Sequence, residues 1–354
     1  MDSSRRYYIS KINIENRRVF PVEPTVLIVT NSRDESALAV LAELDRLGTP
    51  YLRFDAETFP EEKVIAMSLS SSGLIGTLQD AFGSELLRLD NVRSVWYRRP
   101  LRSWISSHLP AGHAQFVQEE SRAALWSLYT ALGAFWMNPP LQGVHLLQHN
   151  KLHQMQAATR LGLRVPDSII TNDPDALLGF TNAHGGTIAV KIIKGNSFVR
   201  EDSPAIPLHV FTNVLHATEI AEHRDDIRLC PVFAQEYVPK RLEFRITIVA
   251  GRVFACAIHS QDSEETRHDW RRYDFARVKH ELYHLPAEIE DKLKLLLAQW
   301  GLTYGAIDMI LTPAGEYVFL EVNPNGQWLW IEEITRMPIS RAIAETLANP
   351  PNTR

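Results

Sequence analysis

Gly305-Ala-Ile-Asp308-Met-Ile-Leu-Thr-Pro-Ala-Gly-Glu-Tyr-Val-Phe-Leu-Glu321-Val-Asn323-Pro-Asn325 is the stretch on which the reading of this chain turns. Two apolar runs, Tyr304 to Leu311 and Glu316 to Asn323, flank Thr312-Pro-Ala-Gly-Glu316, whose proline and glycine suit a short hairpin loop. Folding about Ala314 sets Asp308 roughly opposite Glu321. Like charges directly opposed across a strand pair repel. Both acids also lie in apolar surroundings, where an unpaired carboxylate is costly. A divalent cation removes that conflict. Asn323, two residues past Glu321, faces the same way and adds a third oxygen. An all-oxygen set of this kind suits Mg²⁺, with phosphates as further ligands. The plainer alternative is that each acid pairs with an arginine on a sheet face.

Working outward, Lys191 is a charged head inside the apolar strand Ala189-Val-Lys-Ile-Ile193, where it needs an anion or an escape to the sheet edge. Lys151 opens a helix after Asn150, where a phosphate gains from free N–H groups and the helix dipole, although a solvated surface lysine fits as well. Lys194-Gly-Asn-Ser197 could close over phosphates as a flap. No G-x-x-x-x-G-K-[ST] occurs, so this is not a P-loop. Gln235-Glu236-Tyr237-Val238 ends a strand and enters an irregular segment whose backbone can meet adenine, with Tyr237 and Val238 as apolar contacts. Glu243, seven residues past Glu236, is placed to accept from ribose hydroxyls, and Arg245 follows on the same face.

The remaining pattern is α/β. Thr25-Val-Leu-Ile-Val-Thr30 reads as a buried strand, Ala37 to Leu47 as a helix closed by Gly48, and Tyr51 to Phe54 as a second strand. This β-α-β start implies a parallel sheet with a right-handed crossover. Asn31-Ser-Arg-Asp34 follows the first strand without a glycine fingerprint, which disfavours a nicotinamide site despite Asp55. Val92 to Tyr97 is a strand running into Arg98-Arg99, His113 to Gly133 a long helix, and Asn138-Pro-Pro140 a break. Further elements are helices over Lys151 to Leu161, Pro174 to Ala183, Val210 to Glu222 and Pro286 to Trp300. Strands cover Thr187 to Ile193, Val232 to Val238, Glu243 to Val249 and Arg252 to His259.

The chain has 354 residues, 45% hydrophobic and 22% charged, enough for two or three packed subdomains. A net charge of −5 argues against duplex nucleic acid as a partner. No apolar run is long enough for a membrane span, and the polar start lacks a secretion signal. Two cysteines far apart, Cys230 and Cys256, read as reduced buried thiols in a cytoplasmic protein. His259, His268, His280 and His284 fit no common zinc spacing.

Two lysines on different subdomains, a hinge, an acid seven residues on and a late Asp…Glu-x-Asn set resemble the ATP-grasp superfamily from about Lys151 to Asn325. A finer resemblance, from about Thr25, is to the ATP-grasp ligases that mature graspetides, the microviridin-type crosslinked peptides. It rests on Trp96-Tyr-Arg-Arg-Pro100, Glu243-Phe-Arg-Ile-Thr-Ile248, His259-Ser-Gln261, Asp269-Trp-Arg-Arg-Tyr-Asp274 and Phe319-Leu-Glu-Val-Asn-Pro-Asn-Gly-Gln-Trp328.

The resemblance implies an N-terminal extension (1–23), a pre-ATP-grasp domain with a parallel sheet (24–140), a central α+β lid subdomain (141–235) and a C-terminal α+β subdomain (236–350). It implies ATP and Mg²⁺ (two ions), a precursor peptide with leader and core, and a homodimer. ATP would phosphorylate an Asp or Glu side chain of the peptide, and a Ser, Thr or Lys would then displace phosphate. Lys151, Lys191, Gln235, Glu236, Tyr237, Val238 and Glu243 would bind nucleotide. Asp308, Glu321 and Asn323 would hold metal. Arg245, His259 and Arg271 would serve catalysis, His259 facing the phosphates or the acyl phosphate and Arg271 or Arg272 holding a carboxylate or phosphate; a surface salt bridge suits those arginines equally. Trp328 and Trp330 could wall the cleft or fill the core. The alternatives are an ATP-grasp ligase adding an amino acid to a small molecule or protein tail, and a non-catalytic, nucleotide-gated peptide-binding protein.

Overall fold

The computed structural model describes residues 25–71, 73–81, 86–103, 109–140, 144–147, 150–194, 197–200, 203–272, 274 and 276–351. The expected N-terminal extension lies outside them, as do Gly195 and Asn196 of the expected flap. Contacts divide the chain into two compact units: Met1–Asp34, Leu41–Phe135 and Leu347–Arg354 form one, Glu35–Val40 and Trp136–Thr346 the other.

In the first unit, β1 (Val26–Thr30) is flanked by β2 (Tyr51–Asp55) and β6 (Ser94–Tyr97), all parallel. Every residue of β1 is buried, as the unbroken apolar run predicts for the middle of a parallel sheet. Gly48 takes φ 63° after the helix Glu35–Leu47, the left-handed residue that ends a helix. Between β2 and β6 stands an antiparallel meander that the sequence reading does not contain: β3 (Lys63–Ser70), β4 (Gly73–Asp80) and β5 (Leu86–Arg88). The helix Ala111–Ala131 follows. Arg98 is buried, its Nε 3.1 Å from Asp34; Arg99 has φ 48° and its carbonyl accepts from Asn31 Nδ2.

After β7 (Phe135–Met137) the second unit carries two antiparallel sheets. One has the order β12-β9-β13-β8, built from β8 (Ser168–Thr171), β9 (Thr187–Lys191), β12 (Asn213–His216) and β13 (Val232–Glu236). A hairpin of β10 (Ser197–Arg200) and β11 (Ser203–His209) lies between β9 and β12 in the chain. The helix expected over 210–222 is therefore shorter, Ala217–Glu222. The residues before it pair with β9, Asn213 opposite Val190, so sheet pairing overrides local helical preference there. The other sheet has the order β16-β15-β14-β17-β18: β14 (Leu242–Val249), β15 (Arg252–Ile258), β16 (His280–Tyr283), β17 (Tyr304–Leu311) and β18 (Tyr317–Asn323). Its core joins Phe244, Ile246 and Ile307 to Leu293, Leu296 and Leu297 of the helix Ala287–Gln299. Trp328 belongs to the core: it is fully buried and its Nε1 donates to Ser340 Oγ at 3.0 Å. Cys256 is buried, which pushes its thiol up to about 12, whereas Cys230 is exposed, contrary to the expectation of two buried thiols.

Two buried amides fix the position of the acidic hairpin. Asn138, at φ 61°, donates to the carbonyls of Tyr304 and Pro324 at 2.7 Å each and accepts from the N–H groups of Thr303 and Tyr304. Gln154 donates to Leu147 O and Val322 O and accepts from Val322 N–H at 2.8 Å. The helix Lys151–Arg160 is thereby tied directly to β18. Removing such an amide strands several buried backbone groups, each worth about 1–3 kcal/mol. Gln154→Ala is expected to cost about 3 kcal/mol in denaturant unfolding; a loss too small to measure would show that the clamp is dispensable.

Candidate nucleotide and metal site

The site grows from the register of three strands. Arg245 of β14 stands opposite Asp308 of β17, and Asp308 opposite Glu321 of β18. The hairpin fold predicted from Thr312-Pro-Ala-Gly-Glu316 thus sets the two acids face to face, with the register shifting immediately after Asp308. Both keep partial exposure, 13% for Asp308 and 27% for Glu321, so the pair is open to a ligand rather than sealed in the core.

Each acid has a cation. Arg245 Nη1 lies 3.0 and 3.1 Å from the two oxygens of Asp308, and its Nη2 donates to Gln327 O. Lys151 Nζ lies 2.9 Å from Glu321 Oε2. The lysine is held there by the helix cap: Asn150 Oδ1 accepts from His153 N–H, and Gln154 one turn on grips β18. Burial works to raise the Glu321 carboxyl, but Lys151 and Lys191, with Arg271, outweigh it and hold it down to about 2. For Asp308, burial and the charge of Glu321 outweigh Arg245, and its carboxyl is raised. The two acids therefore differ in charge demand: Glu321 is a firm anion, while Asp308 is the one that gains from more positive charge.

Around this pair opens a narrow, partly open cleft. It is lined by Lys151, Lys191, Gln235, Glu236, Tyr237, Val238, Glu243, Arg271, Asp308 and Glu321 among others. Ten residues singled out from the sequence, spread over 171 positions, thus share one wall. Burial and neighbouring Lys151 push the Lys191 amine down to about 8, against the pull of Glu321. Gln235 is buried and its Nε2 donates to Ser168 Oγ at 3.0 Å, which fixes its amide. Glu236 N–H is spent on Asp167 O. Tyr237 packs edge-on to His268, ring centres 5.8 Å apart. Arg271 is clasped by the buried carboxylate of Asp269, which also accepts from Thr212 N–H.

Three expected site residues stand outside the lining. Arg245 is buried and reaches the cleft only through Asp308. His259 is directed to Glu281, Nε2 to Oε1 2.8 Å. Asn323 continues the face of Glu321 along β18, and its Oδ1 accepts from Asn325 N–H at 3.1 Å. Among the described residues no group of three or more His, Cys, Asp or Glu side chains stands together at metal-binding distance. A cation here would therefore depend on two carboxylates, an amide and ligand oxygens, a donor set that fits Mg²⁺ and not zinc. Lys240, which also lines the cleft, and Gln154 carry no signal in the sequence reading. Trp330 packs at a tilt against Trp270, 5.0 Å between centres, and Trp270 lines the cleft.

Gly326 explains the glycine of Asn-Pro-Asn-Gly. A Cβ there would lie 2.3 Å from Ala306 Cβ and 2.7 Å from Arg245 Nη2. Gly326→Ala is expected to displace Arg245 from Asp308 and lower kcat/KM by on the order of tenfold or more; wild-type turnover would show that the Arg245 contact does not matter. A second outcome concerns pH. Lys191 is a cation below about 8 and neutral above it, so nucleotide affinity is expected to fall as pH rises through that value. Lys191→Arg, whose charge does not titrate in this range, should flatten the profile; identical profiles in calorimetry would contradict this.

A family model described as the MvdD pre-ATP grasp domain matches residues 25–143. The crystal structure of macrocyclase MdnC bound with precursor peptide MdnA, from Microcystis aeruginosa MRC, is 34% identical, with a TM-score of 0.81 over 92% of this chain and 100% of that one. A RiPP-associated ATP-grasp ligase of Chryseobacterium gregarium, in complex with ADP and a leader and core peptide, is 28% identical, with a TM-score of 0.84 over 93% and 98%. Macrocyclase MdnB of Microcystis aeruginosa MRC is 29% identical, with a TM-score of 0.72 over 92% and 99%. No match is found among curated proteins.

Proposed function

The chain belongs to the ATP-grasp ligases that mature graspetide peptides, and from that premise we propose that it uses ATP to form ester or amide crosslinks within a ribosomal precursor peptide. The observation that carries this is the single wall on which two lysines, a hinge, Glu243 and the opposed pair Asp308–Glu321 meet. Peptide-bound and ADP-bound relatives of 28–34% identity support the substrate class and the nucleotide.

The proposed chemistry has two steps. A carboxylate oxygen of an Asp or Glu in the peptide attacks the γ-phosphorus of ATP, and ADP leaves with the bridging oxygen. A Ser or Thr hydroxyl, or a Lys amine, then attacks the acyl carbon. A C–O or C–N bond forms, the C–O bond to phosphate breaks, and inorganic phosphate departs as the nucleophile loses its proton. The poor leaving group of a free acid is the barrier that phosphorylation removes.

This chain's own residues position and neutralise. Lys151 and Lys191 bring positive charge to the triphosphate, Glu243 accepts from ribose, and Gln235 to Val238 meet the base. Arg271, oriented by Asp269, faces the transferring phosphoryl group, and Arg245 steadies Asp308. Such preorganised charge is what phosphoryl transfer requires. Asp308, Glu321 and Asn323 would hold Mg²⁺, which when bound neutralises charge on the phosphate oxygens. His259 is held by Glu281 and is given no step here. No enzyme nucleophile is required. Among the described residues no helix is long and apolar enough to cross a membrane, and a cytoplasmic, homodimeric enzyme is part of the proposal; a monomer mass by light scattering would remove the dimer.

Mass spectrometry of a co-expressed precursor peptide tests the reading. One water should be lost per crosslink with the wild-type enzyme and none with Glu321→Gln. Full dehydration in that variant would refute the role of Glu321, and no dehydration with any cognate precursor would refute crosslinking.

A further inference from the structure

Lys240 is a cleft residue to which the proposed chemistry assigns no task. It lines the cleft together with Glu243, yet the two side chains keep only 5% and 7% exposure. Their ion pair is short, Nζ to Oε1 2.8 Å. Lys240 Nζ also donates to the backbone carbonyl of His268 at 3.1 Å. One ammonium thus joins the irregular segment after β13, the start of β14 and the loop that carries Asp269 and Arg271.

Buried Ser260 also favours the charged form of Glu243. Ser260 is itself fixed, its carbonyl accepting from Thr266 Oγ1 at 2.8 Å. Burial above all, with the nearby charge of Asp269, raises the Glu243 carboxyl, and Lys240 and Ser260 work against that rise. A surface acid would need no such arrangement. A buried one does, because a protonated carboxyl presents an O–H where a diol needs an acceptor, and because an unpaired buried carboxylate is costly.

We propose that Lys240 is a positioning residue that keeps Glu243 charged and turned toward the vicinal hydroxyls of a ribose, so that selection of ribonucleotides over 2′-deoxyribonucleotides depends on a lysine that does not touch the sugar. The proposal rests on the nucleotide reading given above. It separates Lys240 from Lys151 and Lys191: those two surround Glu321 at the phosphate end, whereas the Lys240 ammonium is already engaged by Glu243 and His268 O.

Binding of ATP and 2′-deoxy-ATP to the full chain, measured by calorimetry with Mg²⁺ present, tests it. Wild type should prefer ATP by on the order of tenfold, the effect of one charge-assisted hydrogen bond. Lys240→Met should bring the two affinities within about twofold, mainly by weakening ATP, and Lys240→Arg should restore the preference. Glu243→Gln keeps the shape of the side chain without its charge. It should reproduce the compression, and adding Lys240→Met to it should change the ratio no further. The proposal is overturned if Lys240→Met keeps the full preference, or if it weakens both nucleotides equally, which would mark a phosphate contact or a general loss of structure. If Lys240→Met does not fold, Lys240→Gln takes its place: a preference compressed to about twofold supports the proposal and a full preference overturns it. Failure of wild type to bind either nucleotide would instead bring down the reading of the cleft itself.

Discussion

The structure of the second unit is organised by a repulsion. Register places Asp308 of β17 against Glu321 of β18, and like charges so opposed are unfavourable in any sheet. The conflict is relieved from both sides, by Arg245 on the neighbouring strand and by Lys151 at the start of a helix. Neither cation is held only by its acid. Arg245 is also tied to Gln327 O and packs against the Trp270 ring, while Lys151 depends on a helix that Asn150 caps and Gln154 fastens to β18. A sheet that served stability alone would be better off with apolar residues at these positions. The arrangement makes sense as a place where further positive charge and phosphate oxygens arrive together.

The acidic hairpin was legible because a strand pair has a fixed period, and a proline–glycine loop fixes where it folds back. From that register the opposition of Asp308 and Glu321 follows with no knowledge of the rest. The helix start at Lys151 was legible from Asn150, and the parallel sheet from the β-branched run of β1. Lys191, Gln235 to Val238 and Glu243 were visible as charged or polar residues inside apolar strands, but only the fold brings them to one wall.

Other features carry weaker signals. The strand Lys63–Ser70 alternates in burial from Lys63 to Ser68, but its outer face also carries apolar residues such as the exposed Val64 and Leu69, so its sequence shows no period of two. Asn213 to His216 became a strand because β9 offered an edge. Asn138 reads as a chain breaker before two prolines, and Gln154 as an ordinary helix former. Their importance lies in backbone groups far away in sequence, which no local pattern encodes. Trp328 next to the acidic set looks as much like a cleft wall as a core residue, and its full burial and its contact with Ser340 decide for the core.

The central claim is that Asp308 and Glu321, with Asn323, form one half of a divalent-cation site whose other half is the nucleotide. Mn²⁺ can stand in for Mg²⁺ at an all-oxygen site, and its binding can be followed directly by electron paramagnetic resonance. The account predicts that wild-type protein binds Mn²⁺ weakly alone and much more tightly with ADP, and that Asp308→Asn loses this nucleotide-dependent gain while still folding. Mn²⁺ binding that is indifferent to ADP, or a full gain in Asp308→Asn, would contradict it.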